Sequence, residues 1–287
     1  MAEQYIKIAN LTLCLHTEEI LPESDAFQPF ILEAENAEWN ISLISVDEMP
    51  GVSKKLLYRN EEYAVYRDNE QRMFRCHFDR MDDGKIYAIT QTDVSCRQVT
   101  IFYLHEKKYY LNEWGNTFFH IGIEKILACE QRFILHASFV RTPFGGILFS
   151  GASGIGKSTQ AELWCQYTDS TLINGDRPII GKENCVWTAY GSPYAGSSRC
   201  YINENYPIRA IVLLQQADDC NIRRLSVGEA FRRIFAGTTI NVWDVDFVDT
   251  ICTLESELVS QVPVYELSCT PDRNAVQVLW DVLEGGM

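Results

Sequence analysis

Residues 145–159 of this 287-residue chain read GGILFSGASGIGKST. A short apolar run leads into Gly151, four further residues, and then Gly156, Lys157 and Ser158. This is the pattern G-x-x-x-x-G-K-S, in which a glycine-rich turn joins a strand to a helix. We therefore predict a strand before these glycines and a helix after them.

The same stretch has the composition of a phosphate-binding loop. Its glycines permit a backbone whose N–H groups point inward at a polyphosphate, and the following helix directs its positive end at the same anion. Lys157 can reach the β and γ oxygens of a nucleotide, and the Ser158 hydroxyl can bind magnesium. A glycine-rich turn without a ligand is the alternative. The predicted nucleotide-binding residues are Gly151, Ala152, Ser153, Gly154, Ile155, Gly156, Lys157, Ser158 and Thr159.

Composition and charge exclude several classes of protein. The formal net charge of −14 argues against a nucleic-acid partner, because that affinity comes from clustered Lys and Arg. Ten cysteines are scattered singly without C-x-x-C pairs, which argues against a zinc site or a disulfide scaffold. The N-terminal sequence lacks an export pattern, and no apolar stretch approaches membrane-spanning length. We predict a cytoplasmic protein with no membrane partner.

The chain has two sequence textures. Up to about residue 114 the apolar residues alternate as in β-strands, and residues 109–111 fit this pattern. From Asn116 onward, strand-like and helix-like segments alternate, and Thr270 is predicted to cap the last helix. We predict an α/β (α+β) fold: a mainly antiparallel β domain over 1–115, then a nucleotide-binding domain over 116–287 with a mixed sheet and flanking helices. The boundary between the two domains can lie anywhere from about 112 to 130.

Three further segments accompany the loop. Residues 133–140 read as one strand interrupted by His136, and residues 171–180 open as a strand that runs into a turn containing Asp176 and Arg177. Residues 190–196 form a loop with two glycines and a proline. A carboxylate at the end of a strand beside a phosphate loop is placed to act as a base or a magnesium ligand.

The ordered set L-H-A-S, G-A-S-G-I-G-K-S-T, I-N-G-D-R-P and G-S-P-Y-A-G resembles the HPr kinase/phosphorylase family, within the phosphoenolpyruvate carboxykinase-like group. The likeness covers about residues 131–287, and is greater to HPr-kinase-like proteins found near peptide-modification genes, some of which phosphorylate a serine of a small ribosomal peptide. The resemblance implies that Gly151 to Ser158 bind ATP and Mg²⁺. It implies that His136 lies beside the reacting phosphate and that Asp176 is the catalytic or metal-binding carboxylate.

The chain departs from the family pattern at three positions. Gly175 stands where related sequences often carry the first member of an acidic pair, so either one carboxylate does the work of two or metal binding is weaker. Tyr194 and Ser197 stand where relatives have Trp and Lys, and Arg199 is the nearest basic residue. We find no counterpart of the segment that docks HPr, so HPr is not the expected acceptor.

These residues predict an ATP-dependent kinase that phosphorylates a Ser or Thr hydroxyl of a peptide or protein, with ATP and Mg²⁺ as cofactors. The alternatives are a kinase of small hydroxylated molecules and a non-catalytic ATP-binding module. A GTPase is disfavoured because no N-K-x-D motif occurs in the sequence. Carboxykinase chemistry is disfavoured because the further metal-binding and substrate-binding residues of that family have no match in this chain.

We expect residues 1 to about 114 to select the acceptor, and a homo-oligomer is possible. The predicted catalytic residues are Asp176, His136 and Lys157, and the predicted metal ligands are Ser158 and Asp176.

Several of these residues also have structural explanations. Asp176 can form the turn without any catalytic role, and His136 can be an ordinary core histidine. Arg177 can serve only to pair with Asp176. Three other polar residues, Glu130, His120 and Arg199, fit an exposed helix or loop equally well.

Overall fold

A computed structural model describes residues 2–18, 20–21, 25–33, 36–52, 55–111 and 114–285. Contacts within the chain divide it into two compact units, Met1–Cys129 and Glu130–Met287. Within the described residues, no helix combines the length and apolar character needed to cross a bilayer. All ten cysteines are free thiols.

The first unit is built on a nine-stranded sheet. Its elements are β1 (Ala2–Ile8), β2 (Leu11–Thr17), β3 (Ile31–Leu32), β4 (Trp39–Val46), β5 (Lys55–Arg59), β6 (Tyr63–Arg67), β7 (Met73–Asp79), β8 (Lys85–Thr92), β9 (Gln98–Leu104), α1 (Trp114–Ile121) and α2 (Ile123–Cys129), with short 3₁₀ turns at Gln28–Phe30 and His105–Tyr110. The strand order in the sheet is β3-β1-β2-β4-β9-β8-β7-β6-β5. Most neighbours are antiparallel, as predicted, but β4 runs parallel to both β2 and β9.

The strand predicted at residues 109–111 is wrong, because this segment belongs to the 3₁₀ turn that ends at Tyr110. Side-chain bonds hold the turn in place. The Tyr110 hydroxyl donates to Asp79 Oδ1 at 2.9 Å, and Lys107 Nζ donates to Asp79 Oδ2 at 2.8 Å. The alternation of apolar residues does not report such contacts with a distant strand.

The two helices after this turn belong with the first sheet. Tyr87 OH lies 2.8 Å from His120 Nε2, and Arg75 Nη2 donates to Glu124 Oε1 at 2.7 Å. These bonds connect β8 with α1 and β7 with α2. The contacts therefore group residues 116–129 with the first unit, so the boundary between the units follows residue 129 and lies within the range of about 112 to 130 expected from the sequence. His120 is buried at this position, so its hydrogen bond to Tyr87 gives it a structural role.

The second unit contains a mixed sheet with helices packed on it, which confirms the predicted α/β fold class. Its elements are β10 (Phe133–Ile134), β11 (Ala137–Thr142), β12 (Gly145–Ser150), α3 (Lys157–Tyr167), β13 (Thr171–Asn174), β14 (Ile179–Glu183), β15 (Val186–Tyr190), β16 (Asn205–Gln216), β17 (Asn221–Arg224), α4 (Val227–Phe235), α5 (Val245–Gln261), β18 (Val264–Cys269) and α6 (Arg273–Gly285). The strand order in the sheet is β10-β14-β15-β16-β12-β11-β13, and in addition β18 pairs with β16 and β17 pairs with β18.

Three adjacent strands of this sheet set the position of the site. β16 runs parallel to both β12 and β18, so the carboxyl ends of all three meet at one edge. The core behind them includes Phe149, Trp164 of α3 and Leu279 of α6. Ligands of parallel α/β sheets bind at this kind of edge. The helix after β18 begins at Arg273, and Asp272 rather than the predicted Thr270 caps it, because Asp272 Oδ1 accepts from the Asn274 and Ala275 N–H groups.

Candidate functional site

The glycine loop, residues 151–156, joins β12 to α3 at this edge. Gly151, Gly154 and Gly156 have φ values of 143°, 76° and 106°, which side chains with a Cβ rarely adopt. A Cβ on Gly151 would also lie 3.2 Å from Ile155 Cγ2. Nothing lies within 4 Å of the Cβ positions of Gly154 and Gly156, so backbone conformation alone requires glycine there.

Lys157 is the first residue of α3 and is almost fully buried, with 7% exposure. Its ammonium group lies over the loop and donates to Gly151 O at 3.3 Å and Ala152 O at 3.1 Å. Burial lowers the pKa of Lys157, Asp176 raises it and Arg177 lowers it further, with a net decrease. The cation is therefore held at the loop and within electrostatic reach of the Asp176 carboxylate.

His136 lies where the predicted single strand 133–140 is broken. β10 ends at Ile134 and β11 begins at Ala137, so the prediction of one continuous strand is wrong. The bend is held by backbone bonds of His136, whose N–H donates to Gly237 O at 2.8 Å and whose carbonyl accepts from Ser150 Oγ at 2.8 Å. The hydroxyl of the last β12 residue thus positions the imidazole next to the glycine loop.

His136 and Asp176 form a direct pair, with 3.1 Å between His136 Nε2 and Asp176 Oδ1. Burial and the nearby Lys157 lower the pKa of His136, although Asp176 opposes the decrease. The ring is therefore mainly neutral at pH 7, and its Nε2–H donates to the carboxylate. The two side chains are each about a quarter exposed, so a ligand can approach them.

A buried amide fixes the turn that carries Asp176. Asn174, at the end of β13, is fully buried, and its Oδ1 accepts from Asp176 N at 3.1 Å and Arg177 N at 2.8 Å. Its Nδ2 donates to the carbonyls of Ser192 and Tyr194. The loop 190–196 is thereby attached to the Asp176 turn. Sequence reasoning missed Asn174, although a polar residue ending an apolar strand was a visible signal.

Arg177 completes the surroundings of the carboxylate. Its Nε lies 3.4 Å from Asp176 Oδ2, and its Nη1 donates to Thr239 Oγ1 at 3.3 Å. Both Asp176 oxygens therefore face a nitrogen donor. This arrangement orients the carboxylate while leaving its remaining lone pairs available.

The position before Asp176 cannot hold a second acidic side chain in this backbone. A Cβ on Gly175 would lie 1.9 Å from Ser198 Oγ and 2.4 Å from Ser198 Cβ. The Ser198 hydroxyl is itself held by a 2.7 Å bond to Ala195 O. Asp176 is consequently the carboxylate that this turn offers.

Two cavities flank the glycine loop. The first, of about 600 Å³, lies on the side of Gly151 and Ser153 and is lined by His136, Arg232 and Arg233. The second, of about 580 Å³, lies on the side of Gly154 and Gly156 and is lined by Gln160, the end of β16 and residues 269–271. A loop between two cavities of this size can hold a ligand that extends along both sides.

Sequence reasoning also missed the arginines of the first cavity. Arg233 contacts Glu266 on β18, which balances its charge. Arg232, one residue earlier on α4, is exposed and lies close to the glycine loop as part of the cavity wall. A pair of arginines in an amphipathic helix gives no signal that they approach a loop about 80 residues away in the sequence.

Other predicted candidates lie in different surroundings. Arg199 is exposed and has a positive φ of 50° at the end of the Gly196–Ser198 turn. Gly196 lies against Asp176, because a Cβ there would be 3.0 Å from Asp176 Cβ.

The remaining candidates lie on or before α3. Thr159 lines the second cavity, and Ser158 is half-buried at the start of α3. Glu130 is the first residue of the second unit.

Fold and site together define an α/β protein with a glycine loop, a lysine and an imidazole–carboxylate pair at one sheet edge. No protein-family model matches the chain, and no curated protein is similar to it in sequence. Among solved structures it is similar to the Hpr(Ser) kinase/phosphatase from Coxiella burnetii, with 16% identity and a TM-score of 0.31 over 53% of this chain and 88% of that chain.

Proposed function

We propose that this protein is an ATP-dependent kinase that transfers a phosphoryl group to a Ser or Thr hydroxyl of a peptide or protein. The observation that carries the proposal is the position of the His136–Asp176 pair beside a glycine loop that ends in Lys157. Phosphoryl transfer needs these parts: backbone donors and a cation for the phosphates, and a carboxylate for the attacking hydroxyl.

The residues present fit a magnesium nucleotide. The glycine backbone conformations suit a cradle of N–H groups, and Lys157 supplies a cation at the same place. Ser158 and Asp176 offer the hydroxyl and carboxylate oxygens that magnesium prefers. Magnesium would supply charge neutralisation on the phosphates.

Asp176 is the proposed base. In the transfer, the acceptor oxygen bonds to the γ-phosphorus, the bond from that phosphorus to the β–γ bridging oxygen breaks, and the hydroxyl proton passes to the carboxylate. His136 and Arg177 keep the carboxylate in place through one oxygen each. His136 acts mainly as a neutral donor, because its lowered pKa disfavours the imidazolium.

Arg232 is the proposed contact for the transferred phosphoryl group on the first-cavity side. Arg232 lines the cavity that His136 also lines, whereas the neighbouring Arg233 is paired with Glu266. A guanidinium can stabilise charge on the equatorial oxygens during transfer. Arg224, an exposed arginine on β17, provides a matched control outside that cavity wall.

The second cavity is proposed to hold the nucleoside. Gln160 lines it and is only 2% exposed, and its Nε2 has no hydrogen-bond partner among the described residues. A buried donor without a partner costs free energy unless a ligand satisfies it. We infer that this amide donates to an acceptor of the base or ribose.

The experiment is an assay of Mg–ATP binding by calorimetry, followed by ADP release with serine- and threonine-containing peptides as acceptors. The proposal expects binding, acceptor-dependent ADP release, and a large loss of transfer in Arg232→Gln but not in Arg224→Gln. Binding of Mg–ATP without transfer to any hydroxyl acceptor would favour the non-catalytic ATP-binding module. The observation that supports this alternative is that the turn carries a single carboxylate, Asp176, beside Gly175. Turnover only with small hydroxylated molecules would identify the other alternative. No ATP binding would refute the proposal.

A further inference from the structure

Three metal-binding residue types lie together on the first sheet, in the other compact unit from the glycine loop. Glu3 is on β1, and Cys14 and His16 are on β2. The antiparallel register places Glu3 opposite His16 and Tyr5 opposite Cys14. Because Cys14 and His16 are two residues apart on one strand, all three side chains are on the same face of this strand pair.

The distances between their ligand atoms are close to those of a metal centre. His16 Nδ1 lies 3.5 Å from Glu3 Oε1 and 4.0 Å from Cys14 Sγ, and all three atoms lie within 4.8 Å of one another. Bonds of about 2.0–2.3 Å to a tetrahedral ion place neighbouring ligand atoms about 3.3–3.7 Å apart. Small side-chain rotations would bring the three atoms to that spacing.

Neighbouring residues orient two of these ligands. His16 Nε2 lies 3.1 Å from Asn40 Oδ1, which only accepts, so Nε2 carries the proton in the neutral ring. The Nδ1 lone pair then faces Cys14 and Glu3. The Tyr5 hydroxyl donates to Glu3 Oε2 at 2.7 Å, which leaves Oε1 directed towards His16. Metal-binding histidines and carboxylates in proteins have outer hydrogen bonds of this kind.

We propose that Glu3, Cys14 and His16 form a three-ligand site for a borderline divalent cation of the Zn²⁺ class. Thiolate, imidazole and carboxylate together suit Zn²⁺, whereas Mg²⁺ prefers oxygen ligands alone. Cys14 is buried, and the Glu3 side chain is 51% exposed. The fourth position therefore opens to solvent, where a water molecule or a ligand from another molecule can bind.

Linear spacing gave no sign of this site. The ligands stand at positions 3, 14 and 16, and two adjacent strands bring them together. The scattered cysteines argued against a zinc site only through the spacing of ligands along the chain. That spacing does not include pairing across a β-hairpin.

The test is a titration of the full-length protein with Co²⁺ as the spectroscopic probe and then with Zn²⁺, with Mg²⁺ in excess to occupy oxygen-only sites. We expect one Co²⁺ per chain, a near-ultraviolet thiolate-to-cobalt band, and displacement by Zn²⁺. Cys14→Ser should remove the band, and His16→Gln should weaken binding about 100-fold or more, because changing even an outer hydrogen-bond partner of a ligand weakens metal binding about 10- to 100-fold. Matched controls are Cys185→Ser and His105→Gln, which change an exposed cysteine and an exposed histidine elsewhere.

Absence of the band in the unmodified protein would overturn the proposal. The same titration curve in Cys14→Ser or in His16→Gln would also overturn it, because the replaced residue would then not be a ligand of the bound ion. Since Cys14 is buried, His16, whose side chain is 23% exposed, provides the decisive variant if Cys14→Ser does not fold. Loss of the band in the two controls alone would likewise contradict the assignment.

Discussion

His136 Nε2 lies 3.1 Å from Asp176 Oδ1, and this contact joins the bend after β10 to the turn after β13. A backbone bond also joins the two segments, since Ala137 N donates to Asp176 O at 2.9 Å, and Ser150 Oγ at the end of β12 donates to His136 O. The pair is therefore positioned by three separate segments. Its geometry makes Asp176 the first residue to test.

Asp176→Asn should leave Mg–ATP binding measurable and lower phosphoryl transfer about 100-fold or more, because the amide cannot take up the hydroxyl proton. The measurement is single-turnover transfer together with calorimetric affinity. Asp169→Asn, an exposed aspartate after α3, is the matched control and should be unchanged. Wild-type turnover in Asp176→Asn would show that Asp176 only forms the turn.

Lys157→Ala should weaken Mg–ATP binding about 10- to 100-fold, since a hydrogen bond to a charged group contributes about 1.5–3 kcal/mol. The buried ammonium lies over the Gly151 and Ala152 carbonyls, where it faces the loop. Calorimetry measures the change, and Lys55→Ala, an exposed lysine on β5, serves as the control. Equal affinities for Lys157→Ala and the wild type would refute the loop assignment.

Gly175→Ala should destabilise the protein by about 1–3 kcal/mol, as inserted atoms do in packed regions. The cause is the 1.9 Å separation between the new Cβ and Ser198 Oγ. Ser198→Gly in the same chain should recover part of the loss, which urea unfolding of the double-mutant cycle would measure. Gly228→Ala, where nothing lies within 4 Å, is the control, and an equal effect there would contradict this explanation.

Much of the fold could be predicted because its patterns are local. The alternating apolar residues of β6 to β9 identify strands, and G-x-x-x-x-G-K-S places a turn between β12 and α3. The break at His136 could not be predicted in this way, because the Gly237 carbonyl that holds it lies about 100 residues further along the chain. The caps and bends depend on such partners, and apolar spacing does not report them.

The site shows the same division between local and distant signals. The loop and Asp176 have motifs around them, so the sequence was sufficient to nominate them. Arg232 and Gln160 reach the two cavities only through the packing of α4 and α3 around the sheet edge. Their residue types are common on helices, and only the fold distinguishes them.

Stability should depend on pH through Glu255, a fully buried residue of α5 whose Oε1 lies 2.5 Å from Thr238 Oγ1. Burial raises the pKa of Glu255 from 4.5 to about 7, although Thr238 opposes this. The folded state therefore binds the proton more tightly than the unfolded chain. This contribution is fully present below the unfolded pKa of 4.5 and is lost as the pH rises through about 7.

The loss should reach about 3 kcal/mol above pH 7, because each unit of pKa shift corresponds to about 1.4 kcal/mol. Glu255→Gln removes the titrating group, so its stability relative to the wild type should increase between about pH 5 and about pH 8.5. Urea unfolding at both pH values measures this difference. Glu284→Gln, at an exposed position of α6, is the control. Parallel pH profiles for wild type and Glu255→Gln would contradict the prediction.

Phosphorylation of peptide acceptors can be measured directly by mass spectrometry, after incubation with the full-length protein and Mg–ATP carrying an isotope label in its γ-phosphoryl group. The acceptors are synthetic peptides that contain Ser and Thr, with each Ser and Thr replaced in turn by Ala as matched controls. We expect one labelled phosphoryl group on a single hydroxyl side chain, and an about 100-fold decrease of this product with Asp176→Asn. Labelled phosphate released only into solution, or a labelled peptide formed equally by Asp176→Asn, would refute the assignment of Asp176 as the base of a peptide kinase.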